Sequence, residues 1–135
     1  MSYKINDIQG VGEVYSEKLL AAGVSKAEQL LELCASPKGR KELAEKTGIA
    51  EKLILRWVNH ADLYRINGVG PQFAELLEAS GVDTVKELRH RVAANLAAKV
   101  AEVNEEKHLC GRVPTEAEIQ KMIDQAKELE PRMTY

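Results

Sequence analysis

Apolar residues fall at helical spacing through most of the chain. Leu53, Ile54, Trp57, Val58 and Ala61 line one face of a helix, and Glu51, Lys52, Arg56 and Asn59 take the other side. Ile119, Met122, Ile123 and Ala126, extended by Leu129, repeat that stripe near the C-terminus. That last helix has a start and a stop in the sequence. Pro114 precedes Thr115-Glu116-Ala117-Glu118, where a hydroxyl and a carboxylate three residues apart can each satisfy the other's free amide, and Pro131 ends the run. Thr84 to Glu87 and Ser25 to Glu28 have the same spacing. Each follows a Gly-Val pair, Gly81-Val82 or Gly23-Val24, in which the glycine suits the left-handed residue that closes a helix. Ser36-Pro37 sets a cap residue before a first-turn proline and opens a helix through Leu43. Apolar and polar residues nowhere alternate over a useful length. The pattern predicts an all-α fold of about eight to ten short helices.

The chain also repeats itself. The segment from Ile8 to Val24 returns from Ile66 to Val82 at an offset of 58 residues. The Gly-Val-Gly triplets Gly10-Val11-Gly12 and Gly68-Val69-Gly70, the pairs Glu17/Glu75, Leu19/Leu77 and Ala21/Ala79, and the Gly-Val pairs all coincide, with Leu30/Leu88 further on. Ile54 to Ala61 echoes Ile119 to Ala126 at an offset of 65, which puts a short insertion around Ala101 to Gly111 in the second copy. The expected organisation is two pseudo-repeated units, 1–63 and 64–135, in one body. Chains of that size bury too little surface to be robust alone.

Gly-Val-Gly has a physical reading. Glycine reaches the positive φ angles that reverse the chain within three residues, and its missing side chain lets another group approach the backbone. The valine between the glycines, with Ile8 or Ile66, plugs the turn into the core. The amides that follow open a helix, where partial positive charge and unpaired N–H groups suit a phosphate oxygen. Such a turn would grip a nucleic-acid backbone without reading bases.

Ile8 to Val24 and Ile66 to Val82 resemble the helix-hairpin-helix motif. The whole chain resembles an uncharacterised family of tandem helix-hairpin-helix proteins, a domain of unknown function. Thr47 to Leu53, Trp57 to Gly70 and Pro114 to Glu118 carry that likeness. The resemblance implies SAM-like helical units related to small modules attached to recombinases and RNA polymerase subunits, which bind DNA backbone non-specifically or dock on proteins. Of the motif's phosphate-binding features this copy keeps a part. Glu13 follows the first Gly-Val-Gly and would repel phosphate, with Lys18 the nearby cation; Pro71 follows the second, with Arg65 nearby. Ser36-Pro37-Lys38-Gly39-Arg40-Lys41 sets three more cations at a helix start, where an anion would relieve them. The residues expected to meet nucleic acid are therefore Gly10, Gly12, Lys18, Arg65, Gly68, Gly70, Lys38, Arg40 and Lys41. Arg89-His90-Arg91 sits at a helix end that favours cations without a ligand. Trp57, Tyr15 and Phe73 read as core and not as base-stacking groups, with Tyr64 open.

Composition narrows the function further. In 135 residues, 19 Lys and Arg stand against 21 Asp and Glu, so no global attraction to phosphate exists and any such binding is local, weak and salt-sensitive. Cys34 and Cys110 form no CxxC pair, and His108-x-Cys110 is too sparse for a metal set. No apolar run spans a bilayer, and Met1 to Asn6 shows no basic-then-apolar leader, which points to the cytoplasm. In helix-hairpin-helix glycosylases a hairpin lysine attacks the sugar. Neither hairpin tip has one here, and no catalytic triad or carboxylate pair stands out. The expectation is a non-enzymatic protein without cofactor or metal that holds double-stranded DNA backbone. Its rival is a protein-docking scaffold that lost phosphate binding, with self-association open to it.

Overall fold

A computed structural model describes residues 3–135; Met1 and Ser2, which open the stretch read above as showing no leader pattern, lie outside the described residues. After a 3₁₀ turn at Ile5–Asp7 come eight α-helices: α1 (Gly12–Ala21), α2 (Ala27–Cys34), α3 (Pro37–Thr47), α4 (Glu51–Leu63), α5 (Pro71–Ala79), α6 (Val85–Leu88), α7 (Ala93–Lys107) and α8 (Glu116–Glu128). The fold is all-α, and among the described residues the one β-type pairing is an isolated antiparallel bridge between Lys4 and Lys26.

The helices form two units, Met1–Asp62 with Arg132–Tyr135, and Leu63–Pro131. The last four residues thus belong with the first half of the chain. Met133 is buried there, and Thr134 donates its amide to the Ala35 carbonyl at 2.9 Å. The Tyr135 hydroxyl donates to Asn59 Oδ1 at 3.1 Å.

In the first unit Ile8, Val11, Leu19, Val24, Leu30, Ile54 and Trp57 are buried, each aliphatic side chain removed from water stabilising the fold by about 1.5–3 kcal/mol. The Trp57 ring lies 5.2 Å from that of Tyr15, tilted by 58°. The α4 stripe faces inward; on the opposite side Glu51 and Lys52 are exposed and Arg56 is half-buried, but Asn59 is buried, as are His60 and Asp62. In the second unit Phe73, Leu76, Leu77, Leu96, Val100, Ile119 and Ile123 make the core.

Two of the capping expectations hold in full. Thr115 and Glu118 bond reciprocally, at 3.1 and 3.2 Å, and Ser36 Oγ accepts the Gly39 amide at 3.3 Å. Thr84 accepts the Glu87 amide at 3.2 Å, while the Glu87 carboxylate pairs with Arg91 at 2.8 Å. Ser25–Glu28 is a correction. Gln29, one residue later, accepts the amides of Ser25 and Lys26 at 2.9 and 3.0 Å, because α2 starts at Ala27.

The sequence repeat has a geometric counterpart inside each unit. α1 closes with Gly23 at φ 88° and the Val24 amide on the Leu19 carbonyl at 2.9 Å; α5 closes with Gly81 at φ 95° and the Val82 amide on the Leu77 carbonyl at 2.8 Å. The insertion is split in two. α7 has 15 residues where α3 has 11, and the loop before the last helix runs over 108–115 instead of 48–50. Asn104 pins that loop, its side chain bonding both the amide and the carbonyl of Cys110, at 2.8 and 2.9 Å.

Candidate nucleic-acid interface

Both Gly-Val-Gly segments form tight elbows. In the first, Ile8 and Val11 are buried, the Val11 amide donates to the Ile8 carbonyl at 3.3 Å, and Gly10 has φ 89°. In the second, Ile66 and Val69 are buried, the Val69 amide donates to the Ile66 carbonyl at 3.1 Å, and Gly68 has φ 94°. Gly10, Gly12 and Gly68 are exposed and Gly70 is half-buried.

The elbows then diverge. Gly12 has φ 65°, with open space where a side chain would be, whereas Gly70 is extended at φ −107° and caps α5, whose first residue is Pro71. No side chain caps α1, and among the described residues the amides of Gly12, Glu13 and Val14 have no acceptor, as at any helix start left to solvent or ligand. At the second elbow Gln125 from α8 reaches in and accepts the Asn67 amide at 2.9 Å.

What packs against each elbow glycine differs as well. A methyl group on Gly10 would come within 2.8 Å of Arg56 Nη1 and 3.6 Å of Trp57 Nε1, so a guanidinium from α4 lies directly against the first elbow. A methyl on Gly68 would meet the Met122 Cε at 3.2 Å. The fainter repeat at offset 65 pairs Trp57 with Met122 and Arg56 with Lys121, and that was the signal that could have singled out Arg56.

The remaining cations divide between surface and interior. Lys18, Lys38 and Lys41 are exposed. Arg40 is not part of a surface patch with the lysines. It is 6% exposed, and its guanidinium donates to the carbonyls of Cys34 and Ala35 at 3.0 Å each and of Thr134 at 2.7 Å, with the Tyr135 ring 5.6 Å away. The carbonyl end of α2 attracts a cation there, and the returning C-terminal residues close over it. Gly39 serves the same packing. Any Cβ at that position would sit 1.8 Å from the Leu33 carbonyl oxygen, so α3 starts against the end of α2. Arg65 is half-buried and donates to the Glu130 carbonyl at 2.6 Å. Arg89 and Arg91 likewise bond the carbonyls of Lys127 and Gly81, at 3.0 and 2.8 Å.

Neither cysteine forms a disulfide. Burial pushes the Cys34 thiol up to about 11 despite the nearby Arg40 charge, and burial with the Glu75 carboxylate raises Cys110. Such thiols are poor nucleophiles and poor metal ligands at neutral pH. Among the described residues no group of His, Cys, Asp and Glu could hold a metal ion, and no helix is long and apolar enough to cross a membrane.

No curated protein and no solved structure matches the chain. A family model described as a domain of unknown function, DUF4332, matches residues 9–129. That covers both Gly-Val-Gly triplets and all of α8, and the chain belongs to this family.

Proposed function

We propose that this protein is a non-enzymatic tandem helix-hairpin-helix module that holds double-stranded DNA backbone weakly and without sequence preference, mainly through its first elbow. The observation that carries this reading is the Arg56 guanidinium lying against Gly10, beside the exposed and uncapped start of α1. A phosphate there would take helix-start amides and one cation together. Lys18, Lys38 and Lys41 add exposed positive charge elsewhere in the first unit. Glu13 opposes it, since an exposed carboxylate in the first turn of α1 competes for the same amides. Arg40 and Arg65 bond the protein's own carbonyls and so add little to the grip.

The test is fluorescence anisotropy with an arbitrary duplex at rising salt. With so few cations, log affinity should fall against log salt with a slope of about −1 to −3. Arg56→Ala should weaken binding and Glu13→Gln should tighten it, and Lys38→Glu with Lys41→Glu should lower affinity less than Arg56→Ala. Absence of duplex binding by the intact protein in low salt would contradict the proposal. Exposed aliphatic side chains at Val14, Leu20, Leu33 and Val92 favour the second reading, a protein-docking scaffold, with a second copy of the chain among its possible partners.

A further inference from the structure

A cleft of about 340 Å³ opens in the first unit beside the 3₁₀ turn, lined in part by Lys4, Ile5, Ser16, Leu20 and Lys26. It uses none of the groups assigned above to phosphate. Lys4 and Lys26 face each other in the isolated antiparallel bridge. The flanking bonds, Ile5 amide to Ser25 carbonyl and Ala27 amide to Tyr3 carbonyl at 2.9 Å each, make them a non-hydrogen-bonded pair. Side chains in such a pair rise on the same face and stand closest together. Two ammonium groups so opposed repel. Among the described residues neither has an ion-pair partner, and a carboxylate bound between them would remove that repulsion.

The walls select the rest of the ligand. Ile5 lines the cleft with almost no exposure, and Leu20 stands 51% exposed at its edge, an aliphatic side chain left out of the core. Ser16 is only 8% exposed and its side chain lines the cleft wall. By contrast Ser80, on α5's closing turn, returns its hydroxyl to the Leu76 carbonyl at 2.8 Å. A hydroxyl on a cleft wall gains from a ligand able to bond it. At an offset of 58, Ser16, Leu20 and Lys26 become Ala74, Glu78 and Thr84, so this chemistry belongs to the first unit alone.

We propose that this cleft docks an acidic linear peptide segment of a partner protein. One peptide carboxylate bridges Lys4 and Lys26, a neighbouring aliphatic side chain packs on Leu20 and Ile5, and the peptide backbone bonds the Ser16 hydroxyl. A sugar-phosphate chain would match the cations and leave the aliphatic wall unused, so charge and apolar surface together favour peptide.

The experiment is an anisotropy titration with a fluorescein-labelled peptide that alternates Asp or Glu with Leu. Its Asn/Gln counterpart and a duplex DNA serve as comparison ligands. The intact protein should bind the acidic peptide saturably and the neutral one at least about tenfold more weakly. Lys4→Gln with Lys26→Gln should cost about tenfold, with a melting temperature unchanged or slightly raised as the repulsion goes, and Leu20→Ser a several-fold loss at unchanged melting temperature, since these side chains are exposed. Arg56→Ala should leave peptide binding intact, which separates failure here from failure of the DNA reading. No saturable peptide binding, equal binding of the neutral peptide, or loss of duplex binding without loss of peptide binding in the lysine variant would each overturn the proposal.

Discussion

The two elbows turn at equivalent glycines, Gly10 and Gly68, part at Gly12 and Gly70, and offer different chemistry. At the first, a guanidinium lies against the reversing glycine and the helix start is open. At the second, a methionine methyl fills the equivalent space, Gln125 takes one amide, and Pro71 removes another donor. The lesson is that a glycine turn is primarily a way of bringing two helices together. Whether it also binds an anion depends on what the neighbouring helix places beneath it, which the turn residues do not specify.

Breaking the packing unique to the first unit should have the largest effect. Gly39→Ala forces a Cβ into the Leu33 carbonyl, and backbone must move, so a loss of about 3 kcal/mol is expected in urea unfolding. The residue at the same place in α7 is Asn95, exposed, and Asn95→Ala should change stability by less than about 0.5 kcal/mol. Arg40→Met should follow, at about 2 kcal/mol, because three carbonyls lose a charged donor, against about 1 kcal/mol for Arg65→Met, which is half-buried.

The elbow glycines sharpen the contrast on a smaller scale. Gly12→Ala must hold a left-handed backbone and should cost about 1 kcal/mol by thermal melting. Gly70→Ala, in an extended conformation, meets no such strain and should cost less. The thiols give the mildest distinction. Cys34 should react with a disulfide reagent more slowly than the half-buried Cys110 at neutral pH. Its raised value also carries a sign. Above about 9 the unfolded chain loses this proton before the folded one does, so stability should decline as pH rises from 9.0 toward about 11.

Much of this architecture could be read from residue order. The apolar stripes on α4 and α8, the Thr115 capping box and the positive φ at Gly10, Gly23, Gly68 and Gly81 all follow from local pattern. What escaped was set by distant contacts. Lys38-Gly39-Arg40-Lys41 looks like a solvated run, and Arg40 turns inward because α2 ends beside it and Thr134, 94 residues later, supplies an acceptor. Arg56 sits on the polar side of its own helix pattern, and only the fold brings it against Gly10. Gln29 displaced Glu28 as a cap because α2 begins one residue past the spacing that Ser25 suggested.

Amide chemical shifts during titration with duplex DNA in low salt test the central claim most directly. The first elbow should respond, with saturable shifts at Gly10, Gly12 and Glu13 that Arg56→Ala diminishes, while Gly68, Gly70 and Gln72 move little. Shifts of equal size at both elbows, or none at the first, would contradict the account.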